Sequence, residues 1–131
     1  MRFTEHELTA ALHGAAKLVV GSDRKLRRKG VDVETAWATM DRYQRFKVLD
    51  ALGDQILPVL VALPDVVVEP GTRPSYSDRE VGEVVTGLLG EGGGRMRRAV
   101  VVKARTALVQ AALASIPPRL DPDALLAPDE S

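Results

Sequence analysis

Residues 95–116 read RMRRAVVVKARTALVQAALASI, and the placement of this stretch decides the fold. At 3.6 residues per turn Val101, Val102, Leu108, Val109, Leu113 and Ile116 share one face, while Met96, Val100, Ala104, Ala107 and Ala111 make a second, shallower one. A helix apolar on two sides belongs in the middle of a bundle, so neighbours are expected against both faces. Pro117 and Pro118 stop it at one end. At the other, the run Gly90-Glu-Gly-Gly-Gly94 leaves the backbone free to turn back on itself. The preceding segment carries the capping-box pair Ser77 and Glu80, then Val81, Val84, Val85, Leu88 and Leu89 on one side and Arg79, Glu80, Glu83 and Thr86 on the other. These two helices are predicted to form an antiparallel hairpin.

The same capping chemistry marks two earlier helix starts. Thr4 with Glu7 opens a helix over about residues 5–20, whose apolar positions are Leu8, Ala11, Leu12, Ala15, Leu18 and Val19, with Gly21 as its stop. Asp41 with Gln44 opens another at Arg42, with Val48, Leu49, Leu52, Ile56, Val59, Leu60 and Leu63 facing inward. Between them Asp32 caps a short helix, VETAWATM, whose Val33, Ala36, Trp37 and Met40 point the other way. Pro58 must kink or stop the helix from Arg42; a kinked helix to about Leu63 is expected, the rival being a β-ribbon of 59–62 with 66–68. Residues 64–76, PDVVVEPGTRPSY, form a stiff, Pro-rich crossover with a type II turn at Pro70-Gly71. The expected fold is an all-α, single-domain bundle of about five helices over residues 1–120, with the crossover between helices three and four and an acidic C-terminal tail over 121–131.

A chain of 131 residues suits one core, and its hydrophobic content places it with globular proteins. Eighteen basic residues balance 18 acidic ones, so any attraction to nucleic acid or an anionic membrane must be local. With no cysteine in the chain, disulfides, thiol nucleophiles and zinc knuckles are out, and no cofactor is expected. The run from Ile56 to Val68 has two prolines and is too short to span a bilayer, and MRFTEHELTAALHG lacks the apolar core of a signal peptide; a cytoplasmic protein without a membrane partner is expected.

Catalytic patterns are missing from the chain. His6 and His13, both expected on the outer face of the first helix, lie seven residues or about 10.5 Å apart along the axis, too far for one metal. HELTAALH starts like HExxH, but position 10 is Ala. No GxSxG turn occurs, and the Gly-rich loop before Arg95 lacks the Lys-Ser/Thr pair of a P-loop. Arg105 falls by angle within the major apolar face of its helix, where a charge needs a partner; Asp50 and Asp54 are the expected acceptors, the alternative being a pocket in which Arg105 receives a ligand carboxylate or phosphate.

Two basic clusters remain: Arg24, Lys25, Arg27, Arg28 and Lys29, and Arg95, Arg97 and Arg98. They read as solvated ends balanced by the acidic tail or, if the fold unites them, as one patch for phosphates. The expected function is therefore a non-enzymatic helical interaction or adaptor protein, with a small nucleic-acid-binding protein as the alternative. Alanine-rich surfaces on the first and last long helices add the expectation of a homodimer.

Overall fold

The computed structural model describes residues 1–120, and the tail over 121–131 lies outside the described residues. Six helices follow in order: α1 (Glu5–Gly21), α2 (Arg24–Arg28), α3 (Val33–Thr39), α4 (Arg42–Ala62), α5 (Asp78–Leu89) and α6 (Arg95–Ala114). The fold is all-α, with one helix more than the sequence predicts, because Asp23 caps a single turn within the basic cluster by accepting from the Lys25 N–H at 2.9 Å. All three capping boxes form with both bonds. Thr4 and Glu7, Asp41 and Gln44, and Ser77 and Glu80 each exchange side-chain to backbone hydrogen bonds, so these starts are fixed by local chemistry.

α4 continues through Pro58 to Ala62, and no β-ribbon forms. α6 packs against α1, α5 and α4, and α1 reaches α3 and α4 as well. Ile56, Leu60, Leu63, Val81, Val85, Val109 and Ile116 make the centre of the core, with Trp37 and Tyr76 at its edges. Two faces differ from expectation. The buried line of α1 runs through Glu7, Ala11, Ala15, Ala16 and Val20, leaving Leu18 and Val19 partly in solvent. The second face of α6 is not covered as expected: Met96, Val100, Ala104 and Ala107 are all exposed and only Ala111 is half-buried, where Gly14 of α1 approaches the C-terminal end of the helix.

That meeting is a close backbone approach. A Cβ built on Gly14 would lie 2.3 Å from Ser115 Cβ and 3.2 Å from the Ala111 carbonyl oxygen, so only glycine fits there. With Ala11, Ala15 and Ala112 fully buried beside it, α1 and α6 pack through small residues.

The crossover is pinned at several points. Gly71 has φ +82°, and the Thr72 N–H donates to Glu69 O at 3.0 Å, as a type II turn requires. Thr72 and Arg119 form an isolated antiparallel bridge, Arg119 N–H to Thr72 O at 2.7 Å and Gly71 N–H to Arg119 O at 2.6 Å. Pro74 and Tyr76 are buried, and the Tyr76 hydroxyl donates to Pro64 O. Burial, together with the Asp65 and Glu80 carboxylates, pushes that phenol above its ordinary pKa, so it stays a donor.

Arg119 also supplies the one buried ion pair among the described residues. Its Nε donates to Glu7 Oε2 at 2.8 Å and its Nη2 to Glu7 Oε1 at 3.0 Å, with both side chains more than nine-tenths buried. Nη2 also donates to Arg2 O at 2.9 Å. Burial alone would raise the Glu7 carboxyl; the hydrogen bonds from Arg119 and from the Thr4 N–H, with the Arg119 charge, outweigh it and hold the pKa below the ordinary value.

Helix propensity favours alanine over glycine by about 1 kcal/mol, but overpacking a filled crossing costs about 1–3 kcal/mol or more. Gly14→Ala is therefore expected to lower the urea midpoint, and Gly14→Ala with Ser115→Gly to recover part of the loss. Because the folded pKa of Glu7 is depressed, its contribution is fully present above the unfolded value near 4.5 and is lost as pH falls through the lower folded value. Arg119→Met, which strands a buried carboxylate, is expected to cost about 3–5 kcal/mol at neutral pH, and Glu7→Leu with Arg119→Met to return most of it. Urea titrations from pH 7 to pH 3 should show a shallower acid loss in Glu7→Gln than in the parent, the remainder coming from capping carboxylates such as Asp32 and Glu80, which the Thr35 and Ser77 backbone N–H groups hold low.

Candidate functional site

α5 and α6 run antiparallel, and the side of this hairpin turned away from the core is an open groove of about 650 Å³. Its walls are Asp78, Gly82 and Thr86 on α5 and Arg95, Arg98, Val102, Lys103, Thr106 and Gln110 on α6, with Ala99 and Ala107 on the floor. The α6 positions recur every three or four residues, so they form one stripe down the helix. Gly82 keeps the groove open, since a Cβ there would touch Thr106 Oγ1 at 3.7 Å and Val102 at 3.8 Å.

One end is closed by hydrogen bonds: Gln110 Nε2 donates to Tyr76 O at 2.8 Å and to Asp78 Oδ1 at 3.0 Å. The other end is the start of α6. Gly90, Gly92 and Gly93 adopt positive φ, and the N-cap Gly94 offers no side-chain acceptor to the first-turn N–H groups. Arg95, Arg97 and Arg98 occupy that turn, where cations oppose the helix dipole. Arg98 Nη1 donates to Gly92 O at 2.9 Å, which holds this side chain against the glycine loop.

Along its whole length α6 carries Arg95, Arg97, Arg98, Lys103 and Arg105 and not one carboxylate. Among the described residues none of these five cations lies within ion-pairing distance of an acidic group. Three of the five, Arg95, Arg98 and Lys103, line the groove, which therefore joins apolar surface to positive charge without an ion-pair partner among the described residues. Thr106 is 8% exposed, and its hydroxyl has no hydrogen-bond partner among the described residues.

Several sequence-derived sites stand elsewhere. Asp50 and Asp54 are exposed and line a different groove, with Leu12, Leu49, Leu57 and Val61 between α1 and α4. The pair with Arg105 is not made: Asp54 stands two residues, about 200°, round the helix from the buried Ile56, and so points away from α6. Arg105 is half-buried, and its Nε is covered and without a partner among the described residues. Arg24, Lys25, Arg27, Arg28 and Lys29 are exposed on α2, which forms no extensive packing with α6, so the two basic clusters do not merge into one packed patch. His6 is exposed, but His13 leaves the outer face and packs edge-on against Trp37 with ring centroids 5.7 Å apart. The reason is α3, which folds back over that side of α1.

Among the described residues no three His, Asp or Glu side chains are placed to hold a metal ion, and no helix is long and apolar enough to cross a membrane. Lys103, Thr106, Gln110, Asp78 and Thr86 were not singled out by sequence patterns, although the absence of any acidic residue in α6 is visible in the sequence itself. Compared with family models, curated proteins and solved structures, the chain shows no match. Its class rests on the geometry alone: an all-α bundle with a cationic groove on its α5–α6 hairpin.

The Thr106 hydroxyl gives a direct measure of how the groove wall is built. A buried hydroxyl without a partner costs about 1–3 kcal/mol, so Thr106→Val is expected to raise the thermal midpoint, the reverse of the usual outcome for a buried polar residue. A lower midpoint would mean that the hydroxyl is paired in solution.

Proposed function

We propose that the chain is a non-enzymatic helical interaction module, which takes an acidic, leucine-bearing stretch of a protein partner along the α5–α6 groove. The observation that supports this reading is that Arg95, Arg98 and Lys103, none with an ion-pair partner among the described residues, line the groove beside its apolar surface. Charge alone would steer an acidic ligand; the floor adds the apolar burial that gives residence. Self-association belongs to the same reading, with the uncovered Met96, Val100 and Ala104 stripe as the surface for a second copy. The cytoplasm is the compartment this reading assumes.

Nucleic-acid binding is the second reading, and the exposed first-turn arginines favour it. It ranks lower because the cluster on α2 forms no extensive packing with α6, so no single continuous patch gathers the two sets of cations.

Fluorescence anisotropy separates the two. A labelled acidic, leucine-containing peptide is expected to bind, and Arg98→Glu with Lys103→Glu to weaken it about tenfold or more, equivalent to at least about 1.4 kcal/mol. A short DNA duplex is expected not to bind at low salt. Duplex binding that falls steeply and log-linearly with salt, without peptide binding, would transfer the assignment to the second reading.

A further inference from the structure

The charge of this chain is segregated along its length. Residues 1–120 hold all 18 basic residues and 14 of the 18 acidic ones, while 121–131, DPDALLAPDES, hold the other four acidic residues and no basic one. The segment therefore combines Asp121, Asp123, Asp129 and Glu130 with the pair Leu125-Leu126. This is the chemistry that the groove reading asks of a partner. We infer that the first occupant of the α5–α6 groove is this same chain's residues 121–131, docked in cis, so that an outside partner must displace them. The inference rests on the groove reading above and names the segment that fills it.

Reach and register support the cis arrangement. The chain leaves the described residues at the exposed Leu120, just after Arg119 is fixed to Thr72. From Thr72 the crossover runs to Tyr76, whose carbonyl accepts from Gln110 at the closed end of the groove. Those four residues span at most about 14 Å. From Gln110 the α6 axis is about 10 Å to Lys103, 18 Å to Arg98 and 22 Å to Arg95, at about 1.5 Å per residue. Eleven extended residues reach about 36–40 Å, which matches the sum of these two paths.

The same spacing sets which residue meets which. Leu125 and Leu126, six and seven residues past Arg119, travel about 20–25 Å and arrive over the floor beside Lys103 and Val102. Asp129 and Glu130, ten and eleven past it, travel about 33–40 Å and arrive at Arg98 and Arg95, against the first-turn N–H groups of α6 that have no side-chain cap. One group opposes the path: Asp78 lies at the closed end, where it would meet Asp121 and Asp123 as the chain crosses over it. Arg73 stands at that end too, its Nη1 donating to Ala114 O at 2.7 Å, and supplies the opposite charge.

The full chain has no cysteine, so Ser131→Cys accepts a single nitroxide. Amide signals of Arg98, Val102 and Lys103 on α6 and of Gly82 and Thr86 on α5 are expected to broaden, while Asp50 and Asp54 on α4 stay sharp. The broadening is expected to vanish in Arg95→Glu with Arg98→Glu, substitutions at exposed or part-exposed positions that favour the helix start, and separately in Leu125→Ser with Leu126→Ser. A full chain carrying Leu125→Ser, Leu126→Ser, Asp129→Asn and Glu130→Gln is expected to bind the added acidic peptide about tenfold more tightly or better, since a tethered competitor acts at about millimolar effective concentration. Absent or uniform broadening overturns the inference. So does broadening seen only when nitroxide-bearing chains are mixed with separate isotope-labelled chains, because the occupant is then a second copy's segment. Peptide binding that remains sensitive to charge reversal while the nitroxide leaves the groove untouched removes the tail alone; loss of both removes the groove reading with it.

Discussion

Glu7 and Arg119 stand 112 residues apart in sequence and form a two-pronged ion pair more than nine-tenths buried. The pair is a constraint before it is a source of stability, since burying two charges costs several kcal/mol per ion and only good geometry returns it. Here the geometry is good, and its consequences run outward. The Arg119 backbone pairs with Thr72 and Gly71, which seats the crossover. The crossover places Tyr76, whose hydroxyl reaches back to Pro64 and whose carbonyl takes the Gln110 amide. Through Gln110 and Asp78 the start of α5 is set against α6. The groove thus inherits its closed end from an ion pair between α1 and the stretch that follows α6.

The core explains why such a constraint is useful. α1 contributes Ala11, Ala15 and Ala16, each fully buried, and α6 answers with Ala112. Alanine buries little apolar surface, so an interface of this kind gains less per residue than one built of leucine. What it gains is closeness, with Gly14 against Ser115 and Ala111. A shallow, close crossing fixes distance well and register poorly, since small side chains interlock weakly. The Glu7 and Arg119 pair fixes register at one end of that crossing.

Local chemistry was readable and long-range pairing was not. Thr4, Asp41 and Ser77 each announce a helix, because the capping box is completed within four residues and needs nothing from the rest of the chain. The Pro70-Gly71 turn is legible for the same reason. The faces were harder. Leu18 and Val19 outrank Ala16 on any hydrophobic scale, yet it is Ala16 that is buried, since what matters at a close crossing is size. The sequence marks Glu7 as a cap; its second role depends on a residue beyond the last helix. The angle of its own helix asks for a partner for Arg105, but whether Asp50 or Asp54 can serve depends on which side of α4 carries them. In the candidate site, Arg95 and Arg98 were visible as a cluster, but Lys103, Thr106 and Gln110 join them only once α5 lies alongside.

The electrostatics of α6 are the remaining inconsistency, and they are the part least explained by folding. A helix built for stability alone would put carboxylates in its first turn and a side-chain cap before it, as α1 and α5 do. α6 has a bare glycine cap and three arginines there. Each reversed charge costs a few tenths of a kcal/mol to about 1 kcal/mol at the surface, and among the described residues the hydrogen bond from Arg98 to Gly92 O is the visible return. Conflicts between a local rule and the fold concentrate where a protein binds something. An anionic group at the start of α6 would reverse the sign of the conflict, since it meets the free N–H groups, the dipole and the arginines at once. The acidic residues that 1–120 lack in the balance are carried by 121–131, so the charge that answers α6 is present in the same chain.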